Sequence, residues 1–122
     1  MAHHRILIAD DNPDTADSFA LLLSFEGHEV ICARDGAEAL KLFQDKKPDT
    51  ALLDISMPVL DGYEVARRIR AQQGNDQVLL LAMSGWASES DIARSMAAGF
   101  DHHLVKPAGL LDITSLLMDV GQ

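Results

Sequence analysis

Three aspartates and a lysine each stand at the end of an apolar run. Asp10 and Asp11 follow Arg5-Ile6-Leu7-Ile8-Ala9, Asp54 follows Thr50-Ala51-Leu52-Leu53, and Lys106, with Pro107 behind it, follows His102-His103-Leu104-Val105. Carboxylates suit a hard cation. Mg²⁺ wants octahedral oxygen coordination and keeps several waters, so one or two carboxylates suffice. Asp11 and Asp54 could ligate it directly, the Ser56 carbonyl could add a third protein oxygen, and Asp10 could hold a coordinated water. A carboxylate can also attack phosphorus and form an aspartyl phosphate. That transfer needs in-line positioning and charge neutralisation on the equatorial oxygens. The cation would take one oxygen, the Lys106 ammonium a second, and the Ser84 hydroxyl or a backbone N–H the third. Asp54 closes the central strand and is the expected nucleophile. Without metal, clustered carboxylates raise one another's proton affinity, so the pocket should favour a divalent ion, Mg²⁺ with Mn²⁺ as the alternative.

Singly, each residue has a plainer reading. Asp10 and Asp11 could cap a helix, Asp54 could sit in a turn, Lys106 could be a solvated lysine and Ser84 a strand-end hydroxyl. Their joint position decides between the readings, because the carboxyl ends of parallel strands share one edge, where α/β proteins bind ligands.

Short apolar runs alternate with segments of helical period, the pattern of βα units around a parallel sheet. Strands are expected at about 5–9, 28–33, 49–54, 78–83 and 101–105. Asn12 and Pro13 open the first helix, Ala16, Phe19, Ala20 and Leu23 form its inner face, and Gly27 ends it. Asp35 with Glu38 resembles a capping box before a second helix buried through Ala39, Leu40 and Phe43. Asp61 with Glu64 repeats the pattern before Val65, Ala66 and Ile69. Ser88 should cap a fourth helix with Ile92, Ala93, Met96 and Ala97 inward and Gly99 at its end. Ile113, Leu116, Leu117 and Val120 mark a fifth. The expected fold is α/β, a flavodoxin-like (βα)5 domain over residues 1–122. Its five parallel strands should run in the order 2-1-3-4-5 with helices on both faces.

The chain has 122 residues, 48% hydrophobic, with nineteen acidic and ten basic side chains and a formal charge of −9. That suits one domain with its own core. The negative field disfavours direct contact with nucleic acid or anionic membrane and admits metal ions and basic protein surfaces. The longest apolar run, Val78 to Met83, is too short to span a bilayer, and the start lacks a signal-peptide core. A cytoplasmic location is expected. The lone Cys32 reads as a small core residue on the second strand, and His3 and His4 as a ragged start or tag remnant.

Four segments carry a family likeness: Ile8-Ala9-Asp10-Asp11-Asn12, Leu53-Asp54-Ile55-Ser56-Met57-Pro58-Val59-Leu60-Asp61-Gly62, Met83-Ser84-Gly85 and Leu104-Val105-Lys106-Pro107. Over essentially its whole length the chain resembles the receiver domain of two-component response regulators. The resemblance implies that Asp54 accepts a phosphoryl group from a phosphohistidine on a sensor histidine kinase or histidine phosphotransfer protein. It implies Mg²⁺ held by Asp10, Asp11, Asp54 and the Ser56 carbonyl, with Lys106 on the phosphate. It further implies that Ser84 moves onto a phosphoryl oxygen and repacks the face of the fourth helix, fifth strand and fifth helix. A downstream protein or second copy would bind that face. Such a domain is a signalling module with modest self-phosphorylation and autodephosphorylation, not an enzyme in its own right.

One position departs from the pattern. Three residues before the lysine the family carries Tyr or Phe as its switch aromatic, and here stands His103. Imidazole titrates near neutrality, so protonation could bias the switch, or the histidine could simply be tolerated at a half-exposed site. Trp86, two residues past Ser84, could overhang the pocket and shield an acyl phosphate, so Ser56 and Trp86 are candidates for tuning its lifetime. Residues 99–104 resemble receivers attached to hybrid kinases more than chemotaxis receivers. Two rivals follow. One is an inactive receiver used for docking, which the complete pocket disfavours. The other is a phosphatase with an aspartate nucleophile, where Ser56 occupies the place of a general acid. A flavin site is excluded by the acidic loop Asp10-Asp11-Asn12-Pro13-Asp14, which would repel a phosphate.

Overall fold

Five parallel strands form from the apolar runs: β1 (Arg5–Ala9), β2 (Glu29–Ala33), β3 (Thr50–Asp54), β4 (Leu79–Ser84) and β5 (His102–Val105). Between them lie α1 (Pro13–Phe25), α2 (Gly36–Lys46), α3 (Gly62–Ala71) and α4 (Glu89–Ala98). The structure is a computed structural model that describes residues 4–72, 77–86, 88–106, 113 and 115–117. Strand order is β2-β1-β3-β4-β5, the expected doubly wound arrangement. Ile113 and residues 115–117 are helical, as expected of a fifth helix, whose Val120 lies outside the described residues.

Side-chain alternation along the inner strands builds two core layers. Ile6, Ile8, Leu52, Leu79, Leu81 and Met83 face α1 together with Ile113 and Leu117. Leu7, Ala51, Leu53, Leu80 and Ala82 face α2 and α3 through Ala39, Phe43, Val65, Ala66 and Ile69. With both faces covered, β3 and β4 are buried throughout. The register sets Ala9 level with Leu53, Asp54 with Met83, and Ser84 with Val105. Asp10, Asp54, Ser84 and Lys106 therefore emerge at one sheet edge.

The helix starts follow the expected chemistry with differences of detail. Asn12 caps α1 through a side-chain bond from Asp14 N–H, with Pro13 in the first turn. Gly27, at φ 92°, follows the end of α1 in the left-handed region. Asp35 and Asp61 accept from the N–H of Glu38 and Glu64 at 2.8 and 2.9 Å. Neither completes a capping box. Glu38 turns to the Arg34 N–H, and Glu64 turns to Arg67 and Arg68; the Arg68 hydrogen bond first, and then the two charges, draw its carboxyl below the ordinary range. The reciprocal box forms instead at Ser88 and Asp91.

Three expectations need correction. The inward face of α4 is not Ile92, Ala93, Met96 and Ala97, all of which are exposed, but Ser95 and Ala98. These small side chains let α4 lie close to the sheet edge, and Ser95 finds a polar partner there, so hydrophobic spacing points to the wrong stripe. Cys32 is exposed, because β2 is an edge strand with only partial cover. Partial desolvation by the neighbouring chain, then the charge of Asp17, still pushes the thiol pKa up. His4 belongs to the fold. It is buried, its Nδ1 lies 3.0 Å from Asp49 Oδ1, and its N–H donates to His28 Nδ1 at 3.1 Å. His3 lies outside the described residues. Among the described residues, no helix is long and apolar enough to cross a membrane.

Candidate functional site

The first βα turn shapes the acidic end of the pocket. Asp10 continues β1 and is fully buried at 0% exposure. Its Oδ1 accepts the Asn12 N–H at 2.9 Å, which also turns the chain into α1. Asp11 faces solvent at the rim. Asp54 ends β3 at 2% exposure, and its Oδ1 accepts the Ser56 N–H at 3.0 Å. One carboxylate oxygen from each of Asp10, Asp11 and Asp54 falls within a 4.8 Å cluster.

Lys106 enters from the end of β5. Its Nζ donates to Asp54 Oδ2 at 2.8 Å and lies 3.7 Å from Asp10 Oδ2. Partial burial works against the ammonium. The Asp54 hydrogen bond and the charges of Asp54, Asp10 and Asp11 outweigh it and raise the Lys106 pKa. Asp10 is also raised, first by burial, against the pull of the Asn12 N–H, with the Asp54 charge adding to the rise.

One lysine does not satisfy three carboxylates. Asp10 Oδ2 is buried and has no hydrogen-bond partner among the described residues. A buried carboxylate oxygen without a hydrogen bond is costly, and here it lies in a cluster of oxygen donors. That donor set fits a hard divalent cation, which would satisfy the orphan oxygen.

The other half of the pocket is the end of β4. Ser84 is buried, and its carbonyl accepts the Lys106 N–H at 2.8 Å. Its Oγ accepts the Trp86 N–H at 3.0 Å. Trp86 itself is 69% exposed. His103, on β5, is held at both ring nitrogens. Nδ1 pairs with Ser95 Oγ at 2.7 Å and Nε2 donates to the Trp86 carbonyl at 2.8 Å. A serine hydroxyl can donate or accept, so Ser95 Oγ is a competent partner for Nδ1 in either role. Ser56 is exposed two residues beyond Asp54, to whose Oδ1 its backbone N–H donates.

All the residues expected at the site are at this edge: Asp10, Asp11, Asp54, Ser56, Ser84 and Lys106, with Trp86 and His103 one step behind. Sequence reasoning missed three others. Gly62 opens α3 against the backbone of Asp54, and Gly36 opens α2 under the Leu60 carbonyl. A glycine in a helical first turn is a poor helix former, which is the available signal for such close approach. Ser95 gave no signal, because its role depends on which way α4 is rotated.

An aspartate cluster facing a lysine across the ends of parallel strands is the site of a doubly wound α/β domain, with a donor set suited to a hard cation. A family model described as "Response regulator receiver domain" matches residues 6–118, and the chain belongs to that family, whose general features include Mg²⁺ at an acidic site and a phosphorylated aspartate. The transcriptional regulatory protein PrrA of Mycobacterium tuberculosis is 40% identical over 111 residues, 91% of this chain and 47% of the relative. The chain thus spans about half the length of that curated relative. Chemotaxis protein CheY4 of Vibrio cholerae superposes with a TM-score of 0.90 at 28% identity, covering 98% of this chain and 99% of the other. The receiver domain of a sensor histidine kinase from Pseudomonas aeruginosa, solved with a magnesium ion in its active-site cleft, gives a TM-score of 0.88 at 30% identity, covering 99% and 100%.

Proposed function

We propose that residues 1–122 form a cytoplasmic phosphoacceptor domain in which Asp54 takes a phosphoryl group from a phosphohistidine on a sensor histidine kinase or histidine phosphotransfer protein. The observation that carries this reading is the Lys106–Asp54 contact at 2.8 Å beside the orphan oxygen of Asp10. An Asp54 carboxylate oxygen attacks phosphorus as the P–N bond breaks, and the electron pair returns to the donor imidazole nitrogen. Asp10, Asp11, Asp54 and the Ser56 carbonyl would hold Mg²⁺, with Mn²⁺ as the alternative. When bound, that ion neutralises charge on the phosphoryl group.

Lys106 orients Asp54 beforehand and then follows the negative charge onto a phosphoryl oxygen. Ser84 turns its hydroxyl to another. Trp86 and Ser56 border the path of attacking water and set the lifetime of the acyl phosphate. The readout surface is α4 and β5 with the fifth helix. Ile92, Met96 and Val105 stand exposed there and suit a downstream protein or a second copy.

Incubation with acetyl phosphate and Mg²⁺, followed by intact-mass and peptide mapping, tests the reading. The native chain should gain one phosphoryl group at residue 54, and Asp54→Asn should gain none. A native chain that stays unmodified would instead be an inactive docking receiver.

A further inference from the structure

β2 is an outer strand of the sheet, and its free edge is unprotected. The Glu29 N–H donates to the His4 carbonyl, and the Ala33 carbonyl accepts the Asp10 N–H. Alternation along the strand therefore turns the backbone N–H and C=O of Val30 and Cys32 away from β1. No strand lies on that side among the described residues. Sheet edges are ordinarily blunted by proline, lysine or a bulge. Glu29-Val30-Ile31-Cys32-Ala33 holds neither residue, and its pairing with β1 runs without a bulge. Its one charge, Glu29, is drawn back to Arg5 at 2.8 Å. The helix beside this edge adds apolar surface. α1 packs on β2, and the charge of Asp17 acts on the Cys32 thiol. Leu21 and Phe25 follow Asp17 at successive four-residue steps, so their stripe borders the outer side of the strand. They are 60% and 81% exposed, next to an exposed Cys32.

We propose that a second copy of the chain adds its own β2 to this edge, antiparallel, about a two-fold axis. Charge selects that occupant. The strand starts among acids, the exposed Glu26 and Glu29, and is followed by the exposed Arg34. The Arg34 guanidinium makes no ion pair among the described residues. Antiparallel self-pairing sets each Arg34 beside the acidic start of the other copy, whereas parallel addition would set like against like. The pairing also closes, because each β2 satisfies the other and leaves no free strand between them. Leu21 and Phe25 of both copies then meet over the junction. This goes beyond the phosphoacceptor reading and does not depend on it. Antiparallel β2 strands place the two pockets at opposite edges of one continuous sheet, with α4 and β5 at its far ends. Association through β2 is therefore independent of whether a pocket is occupied.

Sedimentation equilibrium of the full chain under reducing conditions reads the association. The native chain should form a dimer and nothing larger. Cys32→Lys charges the free edge and Phe25→Glu charges its apolar border, and each should weaken the dimer about tenfold or more. Both side chains are exposed, so neither change threatens the fold. A short bismaleimide should join Cys32 to Cys32 in the native dimer and fail to do so in Phe25→Glu. Beryllofluoride, a phosphoryl mimic, added with Mg²⁺ should leave the association unchanged. A native chain that stays monomeric to about 1 mM overturns the proposal. So does a dimer that the linker does not join, or one that resists both substitutions. A dimer that Met96→Asp abolishes, or that forms only with beryllofluoride, lies on the α4 face instead and overturns it while leaving the phosphoacceptor reading intact.

Discussion

A Cβ on Gly62 would stand 2.6 Å from the carbonyl oxygen of Asp54, so α3 begins in direct contact with the backbone that carries the Asp54 carboxylate. The Gly62 N–H also donates to the Ile55 carbonyl at 3.0 Å, which locks the turn after β3. A methyl group there meets main chain on a buried strand, and one of the two elements must move. Gly62→Ala should cost about 2 kcal/mol of stability through overpacking. A displaced Asp54 should also be phosphorylated by acetyl phosphate at least about tenfold more slowly. Urea unfolding and the initial rate of mass gain measure the two. Native stability in the variant would mean that the approach is looser than the distance says.

Lys106 is the one cation within reach of a pocket that holds three carboxylates, among the described residues. Removing it leaves Asp54 without its 2.8 Å partner and Asp10 without its 3.7 Å neighbour. Lys106→Met should lower metal-free stability by about 2 kcal/mol, because a buried carboxylate loses a charge-assisted bond. The lysine pKa is raised in the folded state. Its contribution is thus complete below the unfolded lysine value of about 10.4 and fades as pH climbs through the raised one. The variant should lack this alkaline loss. Thermal unfolding across alkaline pH would show it, and parallel curves for native and variant would refute it.

How far the site could be read from sequence follows from where its residues lie. Asp10, Asp54, Ser84 and Lys106 end strands whose apolar alternation is clear, and topology alone gathers the carboxyl ends of parallel strands. β1 begins and ends where its pattern does, and the other strands differ by a residue. What stayed hidden depends on placement across the sheet. Cys32 looks like a core residue until β2 is known to lie at the edge. α4 looks amphipathic through Ile92 and Met96, yet its seam is made by Ser95 and Ala98, because the neighbouring strand offers an imidazole rather than an apolar surface. His4 looked dispensable since its partners, His28 and Asp49, are distant in sequence and meet it only once β1 lies between β2 and β3.

Asp10 should destabilise the metal-free chain. Its carboxyl is buried, its pKa is raised above the unfolded value of about 3.9, and one oxygen lacks a hydrogen bond. In the window between those two pKa values the folded state binds more protons than the unfolded one. Stability therefore falls as pH rises through it and stays lower above it. Asp10→Asn keeps an acceptor for the Asn12 N–H while removing the charge. Without metal it should be more stable than the native chain by about 1 kcal/mol at neutral pH and lack that acid-side fall. With Mg²⁺ the order should reverse, since a ligand that binds only the folded state stabilises it and the variant binds it poorly. Chemical unfolding with and without Mg²⁺ decides; a native chain more stable than the variant in both conditions would contradict the assignment of Asp10.

Val59 occupies the left-handed region at φ 72° in the loop between β3 and α3, with its side chain 75% exposed. A β-branched residue there is a true outlier, costing roughly 1–2 kcal/mol. So little of its surface is buried that packing does not offset the cost. The loop is nonetheless fixed, with the Leu60 N–H on the Pro58 carbonyl at 2.9 Å and the Gly36 N–H on the same oxygen at 3.4 Å. Gly36 has room for Leu60 only because it lacks a side chain. Val59→Gly relieves the strain and raises the entropy of the unfolded chain, two effects of opposite sign. Strain is the larger for a β-branched residue, so a net gain of about 0.5–1 kcal/mol is expected. Phosphorylation of Asp54 by acetyl phosphate should be unchanged if the strain serves only to close the loop. A slower rate in a more stable variant would show that the strained turn helps to set the Ser56 carbonyl at the pocket.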